Sequence, residues 1–267
     1  MSAAAGTPVV FIHGLWLHAD SWGPWAERFR AAGYAPHAPG WPGDMATIDE
    51  TRKQPQLVAG YGIADVVEHY AQTIRGLPAK PIVVGHSFGG LIAQRLLDDG
   101  HAAAAVAIDA APIKGVLFLP PSALRVASVA LRNPLNRKRA VSLTREQFRY
   151  GFGNAVTPQE SDELYDRWTI PSPGKPLFEA ATANLLPGSP AKVNTSNATR
   201  GPLLLTSGGK DHTVPAVITK QTQRLYRKSA AVTELHEFPD RGHSLCIDSG
   251  WEEVAAVVLD WIGSQEV

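Results

Sequence analysis

The sequence contains a single cysteine, Cys246, among its 267 residues. One thiol excludes an intrachain disulfide framework and any zinc site built on several thiolates. The chain also lacks a charge surplus, because 25 Lys and Arg residues balance 25 Asp and Glu residues. A dedicated nucleic-acid-binding protein carries a basic excess, so this balance argues against nucleic acid as a partner.

Long apolar runs are missing as well, and no stretch of about 18 apolar residues offers a membrane span. We therefore expect no stable membrane insertion. The first eight residues lack the basic start of a signal peptide, and Gly6 and Pro8 interrupt their apolar stretch. Hydrophobic residues still make up 44% of the chain and charged residues 19%, which is typical of a globular protein. These features together predict a cytoplasmic globular protein.

Short apolar runs alternate with helical periodicity, which predicts a parallel sheet covered by helices. One helix is indicated by apolar residues at 63, 66, 67, 70, 71, 74 and 77, and a similar pattern returns at 251–262. The predicted strands lie at residues 9–12, 81–84, 104–108, 202–205 and 232–238, with a weaker candidate at 34–37.

The alternation breaks between about residues 112 and 200, where the strand runs vanish and prolines are frequent. This segment carries twelve Lys and Arg residues against six Asp and Glu residues. Because the strand pattern resumes at residue 202, we interpret the segment as a helical cap inserted before the last two strands. A separate domain is the alternative. The expected organisation is a core of residues 1–111 and 201–267 with a cap at 112–200.

Residues 85–89, Gly-His-Ser-Phe-Gly, fit the pattern G-x-S-x-G. The pattern alone is a weak signal, but here a predicted strand precedes it and a helical stretch at 90–97 follows it. So tight a turn between a strand and a helix needs small residues two before and two after the serine, whose backbone is strained. Ser87 is therefore the candidate nucleophile. The alternative is a glycine-rich turn with an incidental serine.

A serine hydroxyl is a weak nucleophile near neutral pH and needs a base that a carboxylate orients. Among nine histidines, His243 is the candidate base, because it follows the last predicted strand and would reach the same sheet edge as Ser87. Asp211 is the candidate acid, since it lies just beyond the strand at 202–205 in a turn with two glycines. Its rival is Asp109, which ends the strand before the cap.

Backbone N–H donors are needed to hold the oxyanion of a tetrahedral intermediate. We expect one donor at Phe88, the residue after the nucleophile. The other is expected in the loop after the first strand, where Gly14 lets the backbone approach closely. Leu15 is the first candidate for this second donor, and Trp16 is the other.

The predicted cap begins with an unusually apolar stretch at residues 116–131 and continues into a basic run at 132–139. We expect Leu117 and Leu124 to line an acyl pocket together with Trp16. The basic run is interpreted as a solvated helix end or loop, and attraction of an anionic substrate or membrane surface is the alternative.

The chain order Ser87, Asp211, His243, together with a His-Gly pair that ends the first strand, resembles the serine esterase and lipase-like branch of the α/β-hydrolase superfamily. Residues 9–22 are also similar to the opening of plant-type esterases and hydroxynitrile lyases. Family members commonly have two further strands before the His-Gly strand, and only about eight residues precede it here. We therefore expect an α/β-hydrolase fold with a sheet of about six strands, all parallel.

The resemblance implies a hydrolase that cleaves a small-molecule carboxylic ester through an acyl-serine, with no metal or organic cofactor. A serine at the turn disfavours the dehalogenase and epoxide hydrolase branches, which place an aspartate there. A lyase, a carbon–carbon hydrolase or a cofactor-free perhydrolase with the same triad stays open. A ligand-binding receptor is the alternative from another class, although its usual mark is a damaged triad. The physiological substrate and the oligomeric state stay open.

Overall fold

A computed structural model describes residues 6–265 of the chain. Residues 1–5, part of the stretch that argues against a signal peptide, lie outside the described residues. The strands are β1 (Pro8–Ile12), β2 (Ala35–His37), β3 (Ile82–His86), β4 (Ala104–Ile108), β5 (Ala140–Val141), β6 (Ser172–Pro173), β7 (Leu203–Gly208) and β8 (Thr233–Phe238). The α-helices are α1 (Gly23–Ala31), α2 (Ile48–Lys53), α3 (Ile63–Arg75), α4 (Phe88–Asp98), α5 (Pro121–Leu131), α6 (Arg145–Gly151), α7 (Pro158–Trp168), α8 (Lys175–Ala181), α9 (Ala216–Tyr226) and α10 (Trp251–Ser264). Residues Ala19–Trp22 and Pro134–Lys138 form 3₁₀ helices.

The main sheet has six strands in the order β2-β1-β3-β4-β7-β8. Every neighbouring pair in this sheet is parallel. The prediction of about six parallel strands is therefore confirmed. All six predicted strand positions are also confirmed, with ends that differ by at most three residues.

The central strands β1, β3, β4 and β7 are buried along their whole length. Alternate side chains of each strand enter two different apolar clusters, because successive residues of a strand point to opposite faces. In β1, Val9 and Phe11 join the cluster that includes α1 and α10, whereas Val10 and Ile12 join the cluster that includes α3, α4 and α9. Burial on both faces explains why these strands are continuous apolar runs in the sequence.

The helix α3 shows how local sequence forms an element at a sheet face. Its apolar residues recur at helical spacing, and six of them are buried. At its start the carboxylate of Asp65 accepts the N–H of Gly62 at 2.7 Å, which satisfies a donor beside the helix N-terminus. The helix predicted from periodicity at 63–77 is thereby confirmed over Ile63–Arg75.

The chain between β4 and β7 contains the helices α5, α6, α7 and α8, so a helical insertion before the last two strands of the main sheet is confirmed. It also contains the short antiparallel pair β5–β6, which the sequence did not indicate. Two residues in each strand are too few to produce an alternating pattern. Side chains of the insertion, among them Val126 and Phe148, belong to the same apolar cluster as Ile12. Within residues 6–265, no helix combines the length and the apolar composition needed to cross a membrane.

Candidate active site

The candidate residues come together at one edge of the sheet because they follow the carboxyl ends of neighbouring parallel strands. Ser87 follows β3, Asp109 follows β4, and Asp211 and His243 lie in the segments after β7 and β8. In the register of the sheet, Ile12 of β1 pairs with Gly85 of β3, which brings the loop after β1 beside the turn at residue 87. Five segments that are distant in sequence therefore surround one point.

Ser87 occupies the turn between β3 and α4 with φ of 56° and ψ of −121°, a strained conformation for a residue with a side chain. The two glycines of the pattern are required by close contacts. A Cβ atom at Gly85 would lie 2.0 Å from the carbonyl oxygen of Gly89, and one at Gly89 would lie 2.1 Å from that of Ile12. The predicted strand–serine–helix turn is therefore present, and its packing excludes larger residues at both positions.

His243 and Asp211 form a buried pair in which Nδ1 of the histidine lies 2.5 Å from Oδ2 of the aspartate. The other carboxylate oxygen of Asp211 accepts the N–H groups of Thr213 at 2.6 Å and Val214 at 2.8 Å. The backbone thus fixes the carboxylate, and the carboxylate fixes the ring. With the Nδ1–H donated to Asp211, the Nε2 atom is left as the basic position of a neutral imidazole.

The Nε2 atom of His243 is buried and has no hydrogen-bond partner among the described residues. The bond from the hydroxyl of Ser87 is therefore not formed in this structure, although catalytic bonds often tighten only when substrate is present. The imidazole is held by ring contacts, with Phe152 edge-on at 4.7 Å and His86 at 4.6 Å between centroids. His86 also donates its Nε2–H to the carbonyl of His243 at 3.0 Å.

Asp109, the rival acid, lies beside the pair instead of replacing Asp211 in it. Ligand atoms of Asp109, Asp211 and His243 all lie within 4.8 Å of one another. Asp109 has a positive φ of 43°, and both its carboxyl oxygens accept the N–H of Gly208, at 3.0 and 3.1 Å. Asp211 is therefore the carboxylate that contacts the histidine, and Asp109 is a second carboxyl behind it.

The two carboxyl groups differ in their protonation. Burial raises the pKa of Asp109 well above its usual range, and the neighbouring Asp211 carboxylate raises this pKa further. Burial also raises the pKa of Asp211, but the charge and the hydrogen bond of His243 outweigh it and bring this pKa below its ordinary value. These opposite directions favour a protonated Asp109 beside an ionised Asp211.

These three residues also form the one cluster of potential metal ligands found within residues 6–265. Apart from the unpaired Nε2 of His243, their oxygen and nitrogen atoms are engaged with one another and with backbone N–H groups. This arrangement is suited to holding a proton and a histidine tautomer.

The loop after β1 lies against the nucleophile. A Cβ atom at Gly14 would approach the Cβ of Ser87 to 2.7 Å, so only glycine lets the loop come this close. The next residue, Leu15, is buried, and its N–H has no hydrogen-bond partner among the described residues. Phe88 is the first residue of α4, where backbone N–H groups have no intrahelical acceptor. Both expected oxyanion donors are therefore unengaged.

Trp16 is not a donor for the oxyanion, because its N–H donates to Oγ of Ser172 at 2.6 Å. This residue has a positive φ of 66°, and its indole N–H donates to the carbonyl of Val141 at 3.0 Å. Its carbonyl in turn accepts the N–H of Ile170 at 3.0 Å. Trp16 thus ties the loop after β1 to β5, β6 and their neighbouring chain in the insertion.

A cavity of about 200 Å³ opens beside Ser87. Its lining is mostly apolar and comes from the loop after β1, the helices α5 and α8, and the start of α9. Of the three residues expected to line an acyl pocket, Trp16 and Leu124 line this cavity and Leu117 does not. The Leu117 side chain is 79% exposed, and its backbone N–H donates to Gln221 on α9 outside the cavity. Leu117 precedes α5, so the helix that lines the cavity does not carry it.

Several contributors to the site were missed from the sequence. Ala123 and Leu177 line the cavity, as does Leu119, which lies in the apolar stretch singled out at residues 116–131. The spacing of residues 123, 124, 127 and 131 on α5 is a helical stripe that could have indicated one wall. Ser172 and the carbonyl of Val141, which anchor Trp16, carry no local signal in the sequence.

Comparison with solved structures agrees with this fold. A methylesterase from Arabidopsis is similar with a TM-score of 0.66 and 17% identity, over 96% of this chain and 98% of that protein. A monoacylglycerol lipase from Paleococcus ferrophilus is similar with a TM-score of 0.67 and 21% sequence identity, over 97% of this chain and 96% of that protein. A pyrethroid hydrolase from Sphingobium faniae is similar with a TM-score of 0.67 and 17% sequence identity, over 97% of this chain and 98% of that protein.

The low sequence identities to these three solved structures establish only a shared fold and not a shared activity. A search of curated protein sequences found no match. The sequence model described as the alpha/beta hydrolase family matches residues 9–257, most of the chain. The expected superfamily is therefore confirmed: this chain belongs to the alpha/beta hydrolase family.

Proposed function

We propose that this member of the family is a carboxylic ester hydrolase that works through an acyl-enzyme on Ser87. One observation carries the proposal. The Asp211–His243 pair, 2.5 Å apart, leaves the Nε2 of the histidine unpaired at the same sheet edge as a serine in a strained turn. That is the arrangement needed to activate a serine hydroxyl.

In the proposed reaction, Oγ of Ser87 attacks the ester carbonyl carbon while Nε2 of His243 takes the hydroxyl proton. The carbonyl electrons move onto oxygen, where the N–H groups of Leu15 and Phe88 hold the oxyanion. The tetrahedral intermediate collapses, and His243 gives the proton to the departing alcohol. A water molecule activated by His243 then cleaves the acyl-serine and releases the acid. Asp211 holds the tautomer and stabilises the imidazolium throughout.

The cavity beside Ser87 supports a small-molecule ester with an apolar acyl group. Apolar side chains that include Leu119, Leu124 and Leu177 form its wall. The insertion at 112–200 supplies most of this wall, so we propose that it is a cap over a core formed by residues 1–111 and 201–267. A cytoplasmic location, with no nucleic-acid partner, stays a prediction.

The test is Ser87→Ala, compared with Ser161→Ala as a matched control. Ser161 is buried on α7, and its hydroxyl has no hydrogen-bond partner among the described residues. We expect Ser87→Ala to lower kcat for p-nitrophenyl acetate by about 10⁴-fold or more and to abolish labelling by a fluorophosphonate probe. The control should retain both activities.

The same assay separates the alternatives. Residual kcat of Ser87→Ala within tenfold of the unsubstituted protein, at unchanged circular dichroism, would contradict the proposal. A parallel screen of esters, lactones and cyanohydrins tests for lyase or perhydrolase chemistry with the same triad. Absence of both turnover and labelling in the unsubstituted protein would favour a ligand-binding receptor.

A further inference from the structure

His13, which directly follows β1, contacts the carboxylate of Asp44, and both side chains are buried. Its Nε2 lies 3.0 Å from Oδ2 of Asp44, and the two side chains are 2% and 4% exposed. Its other ring nitrogen, Nδ1, lies 2.9 Å from the carbonyl oxygen of Gly14. The carbonyl oxygen of Gly14 can only accept, so Nδ1 of His13 is the donor in this bond, while Nε2 faces both Asp44 and the backbone N–H of Trp41 at 3.3 Å.

The bond to Gly14 controls the direction of the neighbouring N–H. The carbonyl of Gly14 and the N–H of Leu15 belong to one peptide unit, and in a planar trans peptide these two groups point in opposite directions. Holding the carbonyl on the His13 ring therefore turns the Leu15 N–H away from that ring. Gly14 itself packs against Ser87, so the orientation of this peptide is set directly beside the nucleophile.

The chain after β2 clamps His13 from two sides. The indole N–H of Trp41 donates to the carbonyl of His13 at 3.0 Å. The backbone N–H of Trp41 donates to Oδ2 of Asp44 at 2.9 Å, which fixes the carboxylate against the His13 ring. The rings of His13 and Trp41 also lie 5.7 Å apart. Backbone and side chain of the histidine are therefore both immobilised.

We propose that His13 and Asp44 are positioning residues for the oxyanion hole: Asp44 fixes the His13 ring, and the ring fixes the Gly14–Leu15 peptide so that the Leu15 N–H meets the oxyanion. This role rests on the proposed function. A buried histidine–carboxylate contact is weak evidence for stability by itself, because desolvation offsets much of its attraction. A role in orienting a peptide instead predicts an effect on the transition state.

The test compares two substitutions of His13. His13→Leu removes both bonds, whereas in His13→Asn the amide nitrogen takes the place of Nδ1 and can still donate to the Gly14 carbonyl. The matched control is His18→Asn, because His18 is equally buried on the same loop but contacts the carbonyl of Met45 and the N–H of Asp20. Each variant is assayed for pre-steady-state acylation by p-nitrophenyl acetate and for its Tm.

We expect His13→Leu to lower the saturating acylation rate by about 10²-fold, since a misplaced donor loses transition-state stabilisation. The half-saturating ester concentration should change by less than about threefold, because the ground state does not need the donor. His13→Asn should recover at least about tenfold of the lost rate, and His18→Asn should acylate like the unsubstituted protein. If His13→Leu does not fold, Asp44→Ala replaces it, with an expected loss of about tenfold.

The outcomes separate this role from the proposed function. Ser87-dependent hydrolysis with unchanged acylation in His13→Leu or Asp44→Ala overturns the positioning role alone. Equal losses in His13→Asn and His13→Leu also overturn it, as does a lower Tm with no change in acylation. Absence of Ser87-dependent hydrolysis in the unsubstituted protein overturns the proposed function and this role with it.

Discussion

Replacing a carboxyl group by an amide should have very different effects at the two buried aspartates, Asp211 and Asp109. In Asp211→Asn, the amide replaces the carboxylate that accepts the Nδ1–H of His243 at 2.5 Å. The amide favours the wrong tautomer of the imidazole and cannot stabilise the imidazolium. In Asp109→Asn, the amide replaces a carboxyl group whose raised pKa favours the protonated form, so it can offer a donor toward Asp211 and keep the acceptor for the N–H of Gly208.

The expected losses of kcat in the two variants differ by about three orders of magnitude. Loss of the acidic member of a serine protease triad costs about 10⁴-fold in kcat. That factor corresponds to about 5.4 kcal/mol of transition-state stabilisation, at about 1.36 kcal/mol for each tenfold change. Asp211→Asn should approach this loss, whereas Asp109→Asn should stay within about tenfold because its hydrogen bonds are preserved.

The stability of Asp109→Asn should also depend on pH. Burial and the Asp211 carboxylate raise the pKa of Asp109 in the folded state, while His243 lies within the same cluster. A raised folded pKa stabilises the fold below the ordinary value of 3.8, and this stabilisation is lost as pH rises through the folded pKa. An amide cannot ionise, so the Tm of Asp109→Asn relative to the unsubstituted protein should increase as pH rises from acid toward neutrality.

The assay is kcat/KM for p-nitrophenyl acetate, with thermal unfolding of each variant across the same pH range. A loss in Asp109→Asn as large as that in Asp211→Asn would show that both carboxyl groups act on the histidine. Retention of activity within tenfold in Asp211→Asn would refute the pairing on which the mechanism rests. A relative Tm that falls with pH would refute the assignment of the proton to Asp109.

Three further predictions concern the turn, the cavity and the basic run. Gly89→Ala should destabilise the fold by at least about 2 kcal/mol in urea unfolding, because its Cβ would meet the carbonyl of Ile12; an unchanged midpoint would contradict this. Leu124→Gln should alter the preference among C2 to C10 p-nitrophenyl esters by about 1–3 kcal/mol in total, the discrimination that an apolar pocket gives for one methylene, while the exposed Leu117→Gln leaves the profile unchanged. Joint neutralisation of Arg137, Lys138 and Arg139 in the basic run should leave kcat/KM for a short neutral ester within about threefold at low and high salt. A large, salt-sensitive loss of kcat/KM would show that these charges contribute to activity.

Much of the fold was predictable because its signals are local. The buried strands of the main sheet are recognisable as short apolar runs. The helices α3 and α10 are recognisable because their buried residues recur at helical spacing. The short strands β5 and β6 leave none. The helices α1 and α2 were not predicted, and only two residues of the nine in α1 are buried.

The site was predictable to the extent that it follows from strand ends. Ser87, Asp211 and His243 each follow a recognisable strand, and parallel strands present their carboxyl ends at one edge. The choice of Asp211 over Asp109 depended on which carboxylate reaches the imidazole. Both aspartates follow neighbouring strands, so the sequence could favour Asp211 from its glycine turn, and the structure shows that its carboxylate is the one in contact with the imidazole.

The sequence by itself determined the parallel sheet, the place of the insertion and the turn that holds the nucleophile, because each leaves a local pattern of apolar, proline or glycine residues along the chain. Tertiary structure decided which N–H of the first loop is available, since Ser172 engages Trp16 from 156 residues away. It also decided that Leu117 is exposed while Leu124 reaches the cavity. Such contacts join segments whose separation leaves no pattern along the chain, and they form only when the insertion packs onto the sheet.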